Sequence, residues 1–133
     1  EVPEIFDGTV EIKSIAREAG SRTKIAVWSN DPNVDPIGAC VGPKGGRVNA
    51  IVEELNGEKI DIVSYSENPE EYIASALAPS DVISVTILPD GKSCRVIVPE
   101  HQLSLAIGKE GQNVRLAARL TGYKIDIKPE SQA

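Results

Sequence analysis

The chain has 133 residues, with fourteen Lys and Arg against twenty Asp and Glu, a net charge of −6 and a pI near 4.8. That length holds one domain or two very small ones, and an apolar content of 41% is too high for a disordered tail. No apolar run approaches the roughly 20 residues of a bilayer span, no signal peptide is visible, and two cysteines build neither a disulfide framework nor a four-ligand zinc site. The acidity argues against a generic nucleic-acid binder. The chain opens on Glu1 and contains no Met, which reads as a piece of a longer protein.

In chain order, Pro3 to Asp7 reads as a short helix, and Thr9 to Arg17 and Thr23 to Ser29 read as strands bent at Gly20-Ser21. Asn30 to Pro36 is a loop leading to a short helix that ends at Val41. Val48, Ile51, Val52 and Leu55 fall on one face of the next helix, and Ile60 to Tyr65 closes the half as a strand. The second half starts with Asn68 as helix cap, Pro69 in the first helical position and Glu71 completing a capping box. Tyr72, Ile73, Ala76 and Leu77 form its apolar stripe. Ile83, Val85 and Ile87 alternate with Ser84 and Thr86 as a half-buried strand, and Pro89-Asp90-Gly91 turns into a return strand from Cys94 to Val98. A short helix from Gln102 to Ile107, a longer one from Glu110 to Leu120 ended by Gly122, and a strand from Lys124 to Lys128 follow.

The two halves are copies. Gly57-Glu58-Lys59-Ile60-Asp61-Ile62 returns as Gly122-Tyr123-Lys124-Ile125-Asp126-Ile127 after 65 residues, and Val41-Gly42-Pro43-Lys44-Gly45 returns as Ile107-Gly108-Lys109-Glu110-Gly111 after 66. An apolar triplet precedes each glycine loop: Ile37, Cys40 and Val41, then Leu103, Ala106 and Ile107. The expected organisation is two α+β units, 1–66 and 67–133 with loose terminal residues, each running α-β-β-α-α-β. Copies this small are marginal alone, so they are expected to pack as one rigid body.

A helix–G-x-x-G–helix unit has a physical use. Glycines let a ligand approach the backbone, and the next helix offers its unpaired N–H groups to a phosphate. Lys44 and Arg47 flank the first loop, and Lys109 and Arg115 the second, with Arg119 one turn further along that face. Residues 37–52 carry +2 and no acid, whereas residues 67–90 hold five acids and no Lys or Arg.

Ile-Gly-x-x-Gly between two helices resembles the signature of the KH domain, a single-stranded RNA-binding module, and the element order resembles its type II, prokaryotic variant with a three-stranded mixed sheet. The stretch from Ser29 to Gly42 is similar to the first KH domain of the NusA family of bacterial transcription factors, and that from Gln102 to Ala118 is similar to its second. The resemblance implies the tandem KH region of an elongation factor that modulates pausing, termination and antitermination. Its partners would be nascent single-stranded RNA, RNA polymerase and other transcription factors. It implies a cytoplasmic location, with polymerase-binding and OB-fold domains ahead of Glu1.

The expected RNA site comprises Val41, Gly42, Pro43, Lys44, Gly45 and Arg47 in the first unit. In the second it comprises Ile107, Gly108, Lys109, Glu110, Gly111, Gln112, Asn113 and Arg115. Amides around Gly42–Gly45 and Gly108–Gly111 would hold phosphates, the cations would neutralise charge, and Gln112 and Asn113 would meet base edges or phosphates. Ile37, Val41 and Val48, with Leu103, Ile107 and Val114, would floor the two grooves. One Trp, one Phe and three Tyr leave aromatic stacking a minor source of affinity.

Other residues read plainly. Lys59 and Lys124 either touch RNA or are solvated at a strand edge. Asp61 and Asp126 read as the polar face of a strand, and Cys40 and Cys94 as reduced, packed side chains. His101 has no metal or catalytic partners, Trp28 reads as a packing anchor, and Glu110 as solvent-facing or a helix-start carboxylate. The acids from Glu67 to Glu71 read as a solvated helix start or a protein-binding face. No Walker A pattern and no Ser-His-Asp or Cys-His set is present, so the expectation is a non-enzymatic, cofactor-free, metal-free monomer. The rival reading is a scaffold that docks polymerase or antitermination factors with little RNA binding of its own.

Overall fold

Each half of the chain begins with a proline-led helix, because Pro fixes φ for the first helical turn where its missing N–H costs nothing. In the computed structural model, which describes residues 1–132, the chain divides into two units, Glu1–Tyr65 and Ser66–Ala133. Ala133, part of the terminus read as loose, lies outside the described residues.

The first unit runs α1 (Pro3–Phe6), β1 (Val10–Glu18), β2 (Arg22–Ser29), α2 (Pro36–Val41), α3 (Gly46–Glu54) and β3 (Lys59–Ser64). Its sheet has the order β1-β2-β3, with β1 antiparallel to β2 and β2 parallel to β3. The second unit repeats this with α4 (Pro69–Ala76), β4 (Ser84–Ile87), β5 (Ser93–Val98), α5 (Leu103–Ile107), α6 (Gln112–Thr121) and β6 (Lys124–Pro129). Its sheet order is β4-β5-β6, again antiparallel then parallel. Each unit is therefore α-β-β-α-α-β around a three-stranded mixed sheet.

The differences between the units are as informative as the likeness. α4 is eight residues long and packs on α6 and β4. It buries Tyr72, Ile73 and Ala76, and the Tyr72 hydroxyl donates to the Leu120 carbonyl at 3.1 Å. Under this cover α6 buries Leu116, Ala117 and Leu120. α1 is a single turn and Phe6 is exposed. α3 accordingly buries no residue, and the expected stripe of Val48, Ile51, Val52 and Leu55 is only half-buried. A cavity of about 80 Å³ remains among Ile5, Ile12, Cys40, Ile51 and Ile62. The first unit's core centres on Val10, Val27 and Cys40 instead.

Three local expectations are corrected. The box at the start of α4 is relayed: Asn68 Oδ1 accepts from Glu71 N at 3.1 Å, but Asn68 N donates to Ser66 Oγ, which donates in turn to Glu71 Oε2. α6 starts at Gln112 and not at Glu110, because Glu110 sits at φ 55°, outside the helical region. Asp61 is not simply the solvated face of a strand. Arg22 donates to both its oxygens at 2.8 Å, and the buried Lys24 reaches it at 3.0 Å. Its counterpart Asp126 stays exposed, 4.0 Å from Lys128. Trp28 meets Tyr65 edge-on at 6.1 Å, and both cysteines are free and buried. Burial pushes the Cys94 thiol up to about 11.

Glu58, just ahead of β3, ties the first unit's sheet together. Its carboxylate is 1% exposed and accepts from Arg17 Nε and Nη2, Thr23 Oγ1 and Gly20 N. The bonds from Arg17, then Thr23 and Gly20, hold its pKa down from 4.5 to about 2. A carboxylate depressed by folding stabilises the fold above its unfolded pKa, and that stability is lost as pH falls towards the folded value. The wild-type chain should therefore be more stable than Glu58→Gln by a constant margin above pH 4.5. Denaturant unfolding at a series of pH values should show that margin shrinking steadily between pH 4.5 and about 2.

Candidate nucleic-acid interface

The short helices α2 and α5 end in the same way. Gly42 adopts φ 77°, ψ 171° and Gly108 φ 80°, ψ 168°, a region essentially confined to glycine. Asp35 Oδ1 caps the start of α2 by accepting from Ile37 N at 3.1 Å, and Gly42 N closes it onto Gly38 O at 2.9 Å. Gly108 N closes α5 onto Ser104 O at 2.8 Å. Two left-handed residues follow: Lys44 (φ 54°, ψ 29°) and Gly45 (φ 73°, ψ 13°) in the first unit, Glu110 (φ 55°, ψ 27°) and Gly111 (φ 76°, ψ 13°) in the second. The chain then enters α3 or α6. The two loops agree within a few degrees although their tips differ in sequence.

The first glycine of each loop is needed for contact as well as for conformation. A Cβ on Gly108 would lie 2.6 Å from Asn113 N, and one on Gly42 would lie 2.6 Å from Arg47 Cγ. The bend presses the loop against the second residue of the following helix. That residue is Arg47 in one unit and Asn113 in the other, and the 66-residue offset already related them.

Three of the expected site side chains are engaged within their own units. Asn113 is 3% exposed, and its Nδ2 donates to Leu77 O at 3.1 Å and Ala106 O at 2.9 Å. It ties α5 to the end of α4. Arg47 does the same work in the first unit: its Nη1 donates to Ala39 O at 2.8 Å and pairs with Glu4 at 2.7 Å. Its charge is thus held against the body of the unit. Arg115 corresponds by the offset to Asn49, not to Arg47, and its Nη1 donates to Glu110 O at 3.1 Å, bracing the loop.

The glycine amides are also partly spent. Gly45 N donates to Gly42 O and Gly111 N to Gly108 O, both at 3.1 Å. With Gly42 N and Gly108 N closing their helices, four of the amides expected to grip phosphate hold the turn. What faces outward is the tip. Pro43, Lys44, Lys109 and Glu110 are exposed, and Gln112 is half-buried at the start of α6. Lys44 and Lys109 have no side-chain partner among the described residues. Beside the tips, Ile37, Val41 and Val48 and their counterparts Leu103 and Val114 are half-exposed, and Ile107 is 36% exposed. Each unit therefore sets an apolar strip next to an outward cation on a glycine-enforced turn.

A family model for the NusA-like first KH domain matches residues 1–65, and one for the NusA-like second KH domain matches residues 69–133. The chain belongs to the NusA-like KH family. It is 67% identical over its whole length to the transcription termination/antitermination protein NusA of Halalkalibacterium halodurans, covering 35% of that protein. The NusA of Bacillus subtilis is 65% identical over the whole chain, with 36% of that protein covered. That of Thermus thermophilus is 58% identical over 96% of the chain, with 33% covered. The NusA-like KH pair thus spans about a third of the length of these relatives. The crystal structure of APE1850 superposes with a TM-score of 0.66 over 96% of this chain and 94% of its own, at 24% identity, a likeness of fold. No helix among the described residues is long and apolar enough to cross a membrane, and no group of three metal-binding side chains occurs among them.

Placing Asn113 in the scaffold has a measurable consequence. Asn113→Ala removes two buried hydrogen bonds and should cost about 2–3 kcal/mol, read by urea unfolding. Gly108→Ala should cost at least as much, because its Cβ meets backbone, whereas Gly46→Ala, with φ −60° and open space around it, should be neutral or stabilise by about 0.4–1 kcal/mol. An Asn113→Ala chain as stable as wild type would return that side chain to the ligand surface.

Proposed function

We propose that this chain is the non-catalytic RNA-holding part of a bacterial transcription elongation factor. It takes single-stranded RNA along the glycine loops of its two KH units. In the full-length, cytoplasmic protein it works beside RNA polymerase and other transcription factors, and it does so as a monomer. The observation that carries the reading is the pair of loops, matched in backbone angles to within a few degrees. Each has an exposed lysine and a half-exposed apolar strip beside it. A KH module clamps about four nucleotides of backbone at such a loop. Bases laid on the strip would meet polar edges near Ile60–Ile62 and Ile125–Ile127.

The contributing cations are Lys44, Lys109, Arg115 and Arg119. With Arg47 engaged by Glu4, about three to four phosphates are neutralised, and the salt slope for a single strand should be roughly −2 to −3. Affinity is accordingly modest. Titration of single-stranded RNA against Pro43→Asp/Lys44→Asp and, separately, Lys109→Asp/Glu110→Asp should show each pair weakening binding about tenfold or more. Unchanged binding in both, with the fold preserved, would leave the chain as a protein-docking scaffold. A slope steeper than about −5 would overturn the electrostatic account.

A further inference from the structure

The two loops share a backbone but not a charge at the same point in it. Lys44 and Glu110 occupy one position, with φ 54°, ψ 29° and φ 55°, ψ 27°, and both side chains are exposed. The preceding residue is Pro43 in one loop and Lys109 in the other. The first tip therefore carries +1 and the second carries no net charge. Along the helices behind them the balance reverses: α3 holds Arg47, Glu53 and Glu54, while α6 holds Arg115 and Arg119 and no acid. Arg47, the one cation of α3, is paired with Glu4.

We infer that the left-handed tip residue sets the grip of each loop on a strand's phosphates, and that Lys44 makes the first loop the tighter of the two at its tip. Glu110 holds the second loop's tip below its possible strength and leaves the strand's charge to be met further along α6. The inference rests on the RNA reading above, and it assigns the unequal shares of the two grooves to one position in each.

The shared conformation makes a clean test. Position 44 already carries Lys and position 110 already carries Glu in the same left-handed geometry, so exchanging them asks nothing new of the backbone. The chains to compare are wild type, Lys44→Glu, Glu110→Lys and the double exchange. Each is titrated at several salt concentrations with a pool of unstructured single-stranded RNA about 16 nucleotides long, room for two four-nucleotide clamps and a spacer. Lys44→Glu should weaken binding about three- to tenfold and flatten the salt slope by about 0.7. Glu110→Lys should tighten it about threefold or more and steepen the slope by a similar amount. The double exchange should return close to wild type, because it restores the summed charge of the two tips. If thermal melting shows that either exchange unfolds the chain, Lys44→Gln and Glu110→Gln replace it, with the same signs and smaller shifts. Wild-type binding combined with no loss at position 44, or no gain at position 110, overturns the inference and leaves the RNA reading standing. Failure of the wild type to bind the pool at low salt removes the RNA reading itself.

Discussion

The backbone conformation that ends the two short helices is the constraint on which both grooves depend. At φ near +80° and ψ near 170° a side chain is strongly disfavoured, and at Gly42 and Gly108 there is also no room for one, since the following helix lies where a Cβ would stand. That single requirement sets the angle between α2 and α3 and between α5 and α6. Two residues on, the chain turns left-handed at Lys44-Gly45 and Glu110-Gly111, with the tip side chains exposed. The charge and the apolar strip then lie side by side because the backbone leaves them no other arrangement. Arg47 and Asn113 secure the bend from behind by different chemistry, one with an ion pair and a hydrogen bond, the other with two buried hydrogen bonds.

Much of this is legible in the residues. Repetition of G-x-x-G and K-I-D-I at nearly one offset reveals two units, and period-two and period-3.6 patterns place the strands and helices close to their observed ends. Boundaries fail where local geometry overrides pattern. Glu110 is a good helix former, yet it lies in the left-handed turn because the loop needs that conformation ahead of Gly111. Burial, too, cannot be read from polarity. Asn113 and Arg47 read as ligand groups in the sequence, whereas in the structure each donates to backbone carbonyl oxygen. The offset held the signal, since it pairs Arg47 with Asn113 and Asn49 with Arg115, but nearness to the loop suggested a different match. Asp61 was hidden similarly. Its twin Asp126 is solvated as the alternation suggests, while Asp61 is enclosed by Arg22 and Lys24, residues whose counterparts on β5 are Ser93 and Arg95 by their pairing with β6.

The acidity of the chain also takes on a shape. Five acids and no Lys or Arg lie between residues 67 and 90, whereas Lys109, Arg115 and Arg119 stand exposed at the second loop and along α6. The start of α4, with Glu70 and Glu71, would repel a polyanion, and the loop and α6 would attract it. Such an arrangement favours position along the strand over strength of binding. In the first unit the Glu4–Arg47 pair removes one cation from that display, so the two units do not offer a ligand the same field.

The single turn of α1 has a bearing on motion. α6 is fixed by a buried face, by the Tyr72 hydroxyl on its last turn and by a left-handed Gly122 at its end. α3 has no buried residue and borders a small void. Segments with few buried contacts open at lower free energy than the rest of a fold, so α3 is expected to open more readily than α6, and the first loop is carried on the less buried of the two helices. Of two turns built to one template, one is mounted firmly and the other has the freedom to adjust to what it holds.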